Sequence, residues 1–356
     1  MGCNLGGLCS RGRGSFDFQQ VNYARMRPSL DIIIVNWNAG GGLGACLCSI
    51  RAAHRDSLEL KRVVVVDNAS SDGSAENLHF ADLSLSLLKN TDNRGFAAGC
   101  NQGARDSSAD YLLFLNPDVR VLADSLQAPI QLMEQSRNSE VGICGIQLLD
   151  EEGNVSQSCS RFPTAASLLS QMLGLDRLFP NQFKGHFLGQ WDHLKAKQVD
   201  QVMGAFFLVR HALFESLGGF DERFFVYFED LDFSYRARQA GWQSYHLATA
   251  QAYHKGGGCS EQAKAKRLYY SLSSRILYSF KHFGGVAASA ALLGTIVMEP
   301  FSRLALAVSH KSFEEMQETM RAYLMLWRSV PSLLKTHSQS VKHTGPSPQP
   351  VQFGGD

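Results

Sequence analysis

Four short apolar runs, at 32–35 (IIIV), 63–66 (VVVV), 85–88 (LSLL) and 111–115 (YLLFL), are each followed by turn residues and then by a stretch of helical periodicity. Consecutive apolar residues describe strands buried on both faces, and their alternation with helices describes a parallel sheet covered on both sides. After the first run Gly40, Gly41 and Gly42 break the chain, and Leu43, Leu47 and Ile50 then recur at helical spacing. After the second, Ser70 or Ser71 stands where it would cap a short helix. Two further runs, 141–146 and 202–209, flank an irregular stretch at 151–199 that holds Pro163, Pro180 and several aromatic residues. The expected fold class is therefore α/β, a mostly parallel sheet flanked by helices with a helical extension after it.

With 356 residues, 44% of them hydrophobic, the chain is long enough for one large domain and an appendage. A net charge of +1 gives no global attraction to nucleic acid. The balance is uneven: beyond Gln262 there are 11 Lys/Arg against 5 Asp/Glu. Eight cysteines contain no CxxC pair, which suggests neither a zinc site nor a disulfide framework and leaves reduced thiols as the expectation.

The boundaries expected are a leader at 1–29, a main domain at 30–260, a helical extension at 261–335 and a tail at 336–356. The leader is rich in Gly and Arg, lacks the apolar segment of a secretory signal and is expected to be disordered, with Met26 as an alternative start. Residues 286–308 are strongly apolar but interrupted by Glu299, Pro300 and Arg303, whereas a spanning helix wants ~20 uninterrupted apolar residues. A buried or interfacial helical hairpin is expected there. The Ser-, Gln-, Gly- and Pro-containing tail is expected to be disordered.

Ligands of open α/β sheets bind at the carboxyl ends of the strands, and polar residues crowd those ends here. Trp37 and Asn38 follow the first run, and Asp67 and Asn68 end the second within DNASSDGS. A carboxylate at that point accepts the imide N–H of a pyrimidine base; an Asx-turn with a helix cap accounts for the string equally well. In NRGFAAGCNQG, spanning 93–103, glycines such as Gly95 let backbone approach a ligand, and a helix N-terminus favours an anion such as a diphosphate. Close helix packing is the competing explanation, and the spacing is not that of a dinucleotide fold. FLNPD ends in Asp118, a carboxylate suited to a divalent cation bridging a diphosphate, or else a Pro-containing turn.

The densest pattern is GGFDERFFVYFEDLDF, where Glu229, Asp230 and Asp232 fall within four residues ahead of a helix. Their mutual repulsion needs an offset from a helix N-terminus, a cation or a proton-transfer role, and one of them suits general-base work on a hydroxyl. His254 follows 24 residues after Asp230, beside further glycines, where an imidazole would complete a metal site begun by a carboxylate.

VNWN, VVDNASSDGS, NRGFAAGCNQG, FLNPD, GGFDERFFVYFEDLDF and HKGG follow one another in a family's order. Over roughly residues 31–284 the chain resembles glycosyltransferase family 2, within it the bacterial rhamnosyltransferase-like branch. The resemblance implies a GT-A type nucleotide-binding sheet and an inverting transfer of a sugar, with rhamnose favoured, from a nucleoside diphosphate sugar to a glycan or polyprenyl-linked acceptor in cell-surface polysaccharide synthesis. It implies that Trp37 packs on the base, Asp67 reads the pyrimidine and Asn101 contacts the donor, with Asn38, Asn68 and Gly95 also on the nucleotide side. Asp118 and His254 would hold Mg²⁺ or Mn²⁺, with Asn116 at the other end of the DxD-type motif; Asn116 replaces the first acid of that motif and removes one charged ligand. Asp230 matches the catalytic base, Glu229 is its neighbour toward the acceptor, and the stretch at 151–199 supplies acceptor-side loops. The donor implied is deoxythymidine diphosphate rhamnose, a uridine diphosphate sugar presenting the same imide edge. The basic, apolar C-terminal part, with such acceptors, suggests a peripheral position on the cytoplasmic face of the cell membrane.

Two rivals are a sugar nucleotidyltransferase and a non-catalytic, glycosyltransferase-like binding protein. The first wants Lys or Arg in the loop after the first strand, where Trp37 to Gly42 has none; the second is disfavoured by intact Glu229, Asp230 and His254.

Overall fold

In a computed structural model the protein is described at Met1 and at residues 27–183, 185, 188, 191–256 and 264–341. The rest of the leader and residues 342–356 lie outside the described residues. In chain order the elements are β1 (Ser29–Asn36), α1 (Gly41–Ala52), β2 (Glu59–Asp67), β3 (Leu85–Lys89), α2 (Phe96–Ala104), β4 (Tyr111–Leu115), β5 (Val119–Val121), α3 (Gln127–Met133) and β6 (Val141–Leu149). There follow β7 (Cys159–Ser160), α4 (Ala165–Met172), α5 (Leu175–Leu178), β8 (Lys197–Val199), β9 (Gln201–Val202), β10 (Phe206–Arg210), α6 (His211–Ser216), α7 (Glu229–Gln239) and β11 (Gln243–His254). The extension holds α8 (Lys264–His282), α9 (Gly285–Leu293), α10 (Glu299–Ser309) and α11 (Phe313–Val341), so helix continues past Thr336.

The four anticipated runs form β1 to β4. All eight residues of β1 are buried, as a strand between two parallel neighbours requires. The sheet has nine strands in the order β3-β2-β1-β4-β10-β6-β11-β5, with β8 on β11. Its β3-β2-β1-β4 half is parallel, while β10 runs antiparallel to both β4 and β6. Leu43, Leu47 and Ile50 of α1 enter the core on one face; Ala97, Cys100 and Ala104 of α2 enter it on the other.

Three details differ from expectation. No helix follows Ser70; its hydroxyl turns back onto Asp67 at 2.5 Å, and the segment stays in turns. The run at 202–209 is split between two sheets: β9 pairs with β7 in a separate two-stranded sheet, and the chain joins the main sheet only at β10. β11 was not anticipated: QSYHLATAQAYH lacks an apolar run, and its pairing with β6 shifts register between Leu247 and Gln251.

The apolar segment at 286–308 is one helical run rather than a hairpin. α9 passes through a π-helical turn at Gly294–Met298 into α10, and α11 then folds back along α8 and α10. Pro300 has no N–H for the carbonyl four residues earlier, that of Ile296. The Trp327 indole of α11 donates to that carbonyl at 3.0 Å.

The extension is fastened to the sheet domain by charge. Asp232 of α7 is fully buried and accepts from Lys281 (2.6 Å), His282 (2.7 Å) and Arg236 (2.8 Å), while Lys281 also reaches Asp221 at 2.6 Å. Burial pushes both carboxyls up, but their cationic partners and hydrogen bonds outweigh it and hold both below the usual range. Stability from these depressed carboxyls is fully present above about pH 4 and falls as pH drops toward their folded-state values. Asp232→Ala is expected to lower unfolding free energy by about 3 kcal/mol or more in urea titrations at pH 7, since it strands buried cations, and to shrink the acid-induced loss; unchanged stability would contradict this role.

Candidate active site

The carboxyl ends of β1, β2 and β4 open into a cavity of about 1070 Å³. Of the residues singled out from sequence, Trp37, Asn68, Gly95, Asn116, Asp118, Glu229, Asp230 and His254 line it; Asn38, Asp67 and Asn101 do not.

Strand pairing explains one meeting. β5 lies antiparallel to β11 with His254 opposite Val119, which brings the imidazole beside the preceding Asp118. Asp118 Oδ1 is 3.4 Å from His254 Nε2, and Asn116 Nδ2 is 3.5 Å from the same nitrogen. Among the described residues no group of three His, Cys, Asp or Glu could hold a metal ion, and those residues offer one carboxylate and one imidazole there.

α7 delivers the acids. Tyr227 and Phe228, just before it, both have positive φ (67° and 68°), which is uncommon for aromatic residues and turns the helix N-terminus onto the cavity. Asp230 Oδ2 accepts from Gly204 N (2.7 Å) and Gln201 Nε2 (2.9 Å), and Oδ1 from Leu231 N (2.7 Å). Burial still pushes its carboxyl above the ordinary value against those bonds. Glu229 is 5% exposed, and its Oε2 has no hydrogen-bond partner. Burial first, and then the Asp230 charge, push it well up. The three clustered acids thus divide: 229 and 230 line the cavity, and 232 fastens the extension.

Several residues around the strand ends hold the frame. Asn36, buried at the end of β1, donates to Asp67 (2.8 Å), Ser70 (3.0 Å) and Ser74 (2.9 Å). Asp67 Oδ1 is taken by Asn36 and Ser70, leaving Oδ2 with one longer contact, 3.3 Å from Ser70 N. Asn38 accepts from Ser71 N at 2.8 Å, and Asn68 bridges Gly95 O and Asn90. Asn101, expected at the donor, instead exchanges hydrogen bonds with the backbone of Phe220 (2.8 and 2.9 Å) and donates to Glu222.

The glycine-rich run likewise divides. A Cβ on Gly99 or Gly103 would lie 2.9 Å from Val35 or 2.5 Å from Ile33, so these glycines seat α2 on the sheet. Gly95, at φ +88°, meets the cavity, and a Cβ there would lie 2.4 Å from Phe225 O, the carbonyl that accepts from Phe96 N. Gln201 and Gly204, whose roles depend on contacts spanning 26 residues or more, carry no local signal in the sequence, and neither does the position of Arg275, Glu299 and Arg303, which line the same cavity from the extension. Gly95→Ala is expected to cost about 1–3 kcal/mol from backbone strain and collision, measured by thermal unfolding, whereas Gly44→Ala, with open space around it, leaves the melting temperature within error or raises it. Equal behaviour of the two variants would contradict the close approach.

The glycosyl transferase family 2 profile matches residues 31–181. An N-acetylglucosaminyl-diphospho-decaprenol L-rhamnosyltransferase of Mycobacterium tuberculosis is 26% identical over 277 residues, 73% of this chain and 87% of the relative. The rhamnosyltransferase WbbL of Escherichia coli is 28% identical over 49% of this chain and 63% of its own length. Among solved structures, GalNAc-T7 with UDP, GalNAc and Mn²⁺ aligns with a TM-score of 0.50 at 14% identity, covering 80% of this chain and 58% of that one, a likeness of fold. Residues 31–181 are thus a family 2 glycosyltransferase domain on a sheet of the GT-A fold, and the chain is similar beyond it to rhamnosyltransferases at 26–28% identity.

Proposed function

We propose that this glycosyltransferase inverts the anomeric carbon as it moves a sugar, rhamnose by preference, from a nucleoside diphosphate to a hydroxyl of a diphosphate-linked lipid acceptor in cell-surface polysaccharide synthesis. The observation that carries the reading is the Asp230 carboxylate, lifted above its ordinary range by burial and held by three hydrogen bonds on the cavity that also contains Asp118 and His254. Oδ1 accepts only one of those bonds, so it retains a lone pair for an acceptor O–H. Asp230 takes that proton as the oxygen attacks the sugar C1, and the nucleoside diphosphate departs from the opposite face. Glu229, buried beside it with an oxygen lacking a partner, is suited to orient acceptor hydroxyls.

Trp37 offers its ring to the base, and Asp67 Oδ2 retains capacity for the imide N–H of uracil or thymine. Asp118 and His254, beside Asn116, form an N/O donor pair suited to Mg²⁺ or Mn²⁺, which would neutralise the leaving diphosphate. A cation there would need further ligands from the diphosphate, because the first acid of a full DxD is here the amide Asn116. The M. tuberculosis relative, whose name specifies a diphospho-decaprenol, supports the acceptor class.

The extension suits the cytoplasmic face of a membrane. The run Gly285–Ser309 is long and apolar enough to cross one by length and composition. Val286, Leu293, Val297, Phe301 and Val308 are exposed on it, while Arg275, Glu299 and Arg303 tie its inner side to the protein, which fits a helix lying on the surface.

Incubating the full chain with Mn²⁺, deoxythymidine or uridine diphosphate sugars and a lipid diphosphate acceptor in vesicles is expected to release nucleoside diphosphate and give product of opposite anomeric configuration by NMR. The rate should fall as pH drops through a value above about 4, because the base works deprotonated and burial raises its pKa. Pyrophosphate release, or retained configuration, would overturn the reading.

A further inference from the structure

Where the C-terminal helices wall the cavity, Arg275 and Arg303 share the single carboxylate of Glu299. Arg275 pairs with Glu299 Oε2 and donates to Thr295 Oγ1 at 3.2 Å; Arg303 donates to Glu299 Oε1 at 2.9 Å. Arg275 is 8% exposed, Glu299 3%, and the Arg275 Nε is buried with no hydrogen-bond partner. Arg303 is 32% exposed, so the group carries one surplus positive charge whose open side is Arg303, while Arg275 and the shared carboxylate are buried behind it. One carboxylate neutralises only one of the two guanidiniums, which leaves charge on the cavity wall for an anion. Lys266 and Arg267, both exposed, add positive charge to the same cavity wall.

We infer that Arg275 and Arg303 form an anion subsite for the diphosphate of the acceptor, separate from the pairing of Asp118 with His254 on the donor side. Planar guanidiniums match phosphate oxygens in a two-pronged fashion, and one surplus charge shared by two arginines, with Lys266 and Arg267 beyond it, suits a group bearing two or more negative charges. The subsite lies on the helices α8 and α10, and α10 also carries exposed Phe301 and Val308, so a lipid chain attached to that diphosphate would leave along an apolar helix. The inference rests on the proposed acceptor class for its biological ligand, but the anion site itself does not.

The test uses the purified full chain and inorganic pyrophosphate, without divalent cation or nucleotide. Pyrophosphate is expected to slow amide hydrogen exchange in residues 264–282 and 295–303, and Arg303→Gln is expected to weaken its binding at least tenfold by calorimetry. In the transfer assay Arg303→Gln should raise the acceptor KM tenfold or more and leave the donor KM within threefold. A rise in donor KM alone would assign the arginines to the donor diphosphate and overturn the inference. Unchanged exchange in those helices with pyrophosphate would also overturn it, whether or not the variant folds and whether or not sugar transfer is detected.

Discussion

Gly204 N–H and the Gln201 amide converge on one oxygen of Asp230, at 2.7 and 2.9 Å, and Leu231 N–H binds the other. This is the joint on which the site depends. Between β9, which pairs with β7, and β10 of the main sheet the chain is unpaired, so a backbone donor at Gly204 can face α7, and the strained pair Tyr227 and Phe228 turns α7 to meet it. A Cβ at 204 would lie 3.2 Å from Asp230 Oδ2, so a larger residue there would push the carboxylate off its present position. Two opposed influences result: burial raises the Asp230 pKa, and the donors keep the carboxylate aimed and limit that rise.

The same α7 sequence serves both chemistry and assembly. Its first turn carries Glu229 and Asp230 into the cavity, whereas Asp232, on another side of the helix, fixes Lys281 and His282 of α8. The extension is thereby part of the site rather than a tether alone: α8 and α10 close one wall, with Arg275, Glu299 and Arg303 lining it. The exposed apolar helical run Gly285–Ser309 and the Asp230 carboxylate are thus connected through a few buried ion pairs. Trp327 has a comparable economy, its indole replacing the N–H that Pro300 lacks.

Much of the fold was legible because buried parallel strands announce themselves as unbroken apolar runs; 32–35, 63–66 and 111–115 lie inside β1, β2 and β4. β11 was not legible, since half of it pairs through a register shift and its residues alternate with Ala, Ser and Gln. At the site, clustered acids and the NPD turn were visible locally, and the meeting of Asp118 with His254 was implied by motif order. The division of labour was hidden. Asn101 and Gly103 look like ligand contacts in a glycine-rich string, yet one holds the Phe220 backbone and the other seats a helix. Gln201 carries no local signal, as its partner is 29 residues away. Arg303 looks, in sequence, like a charge interrupting an apolar run, and only tertiary packing reveals that it shares one acid with Arg275.

The central claim is that Asp230 accepts the proton of the attacking hydroxyl. It is tested most directly by comparing Asp230→Asn, Glu229→Gln and the parent chain in single-turnover sugar transfer, with donor affinity measured separately by calorimetry. The account predicts a fall of about 10³-fold in the transfer rate for Asp230→Asn with donor affinity within threefold, and a smaller fall for Glu229→Gln. Transfer by Asp230→Asn at close to the parent rate, or a larger loss from Glu229→Gln, would contradict it.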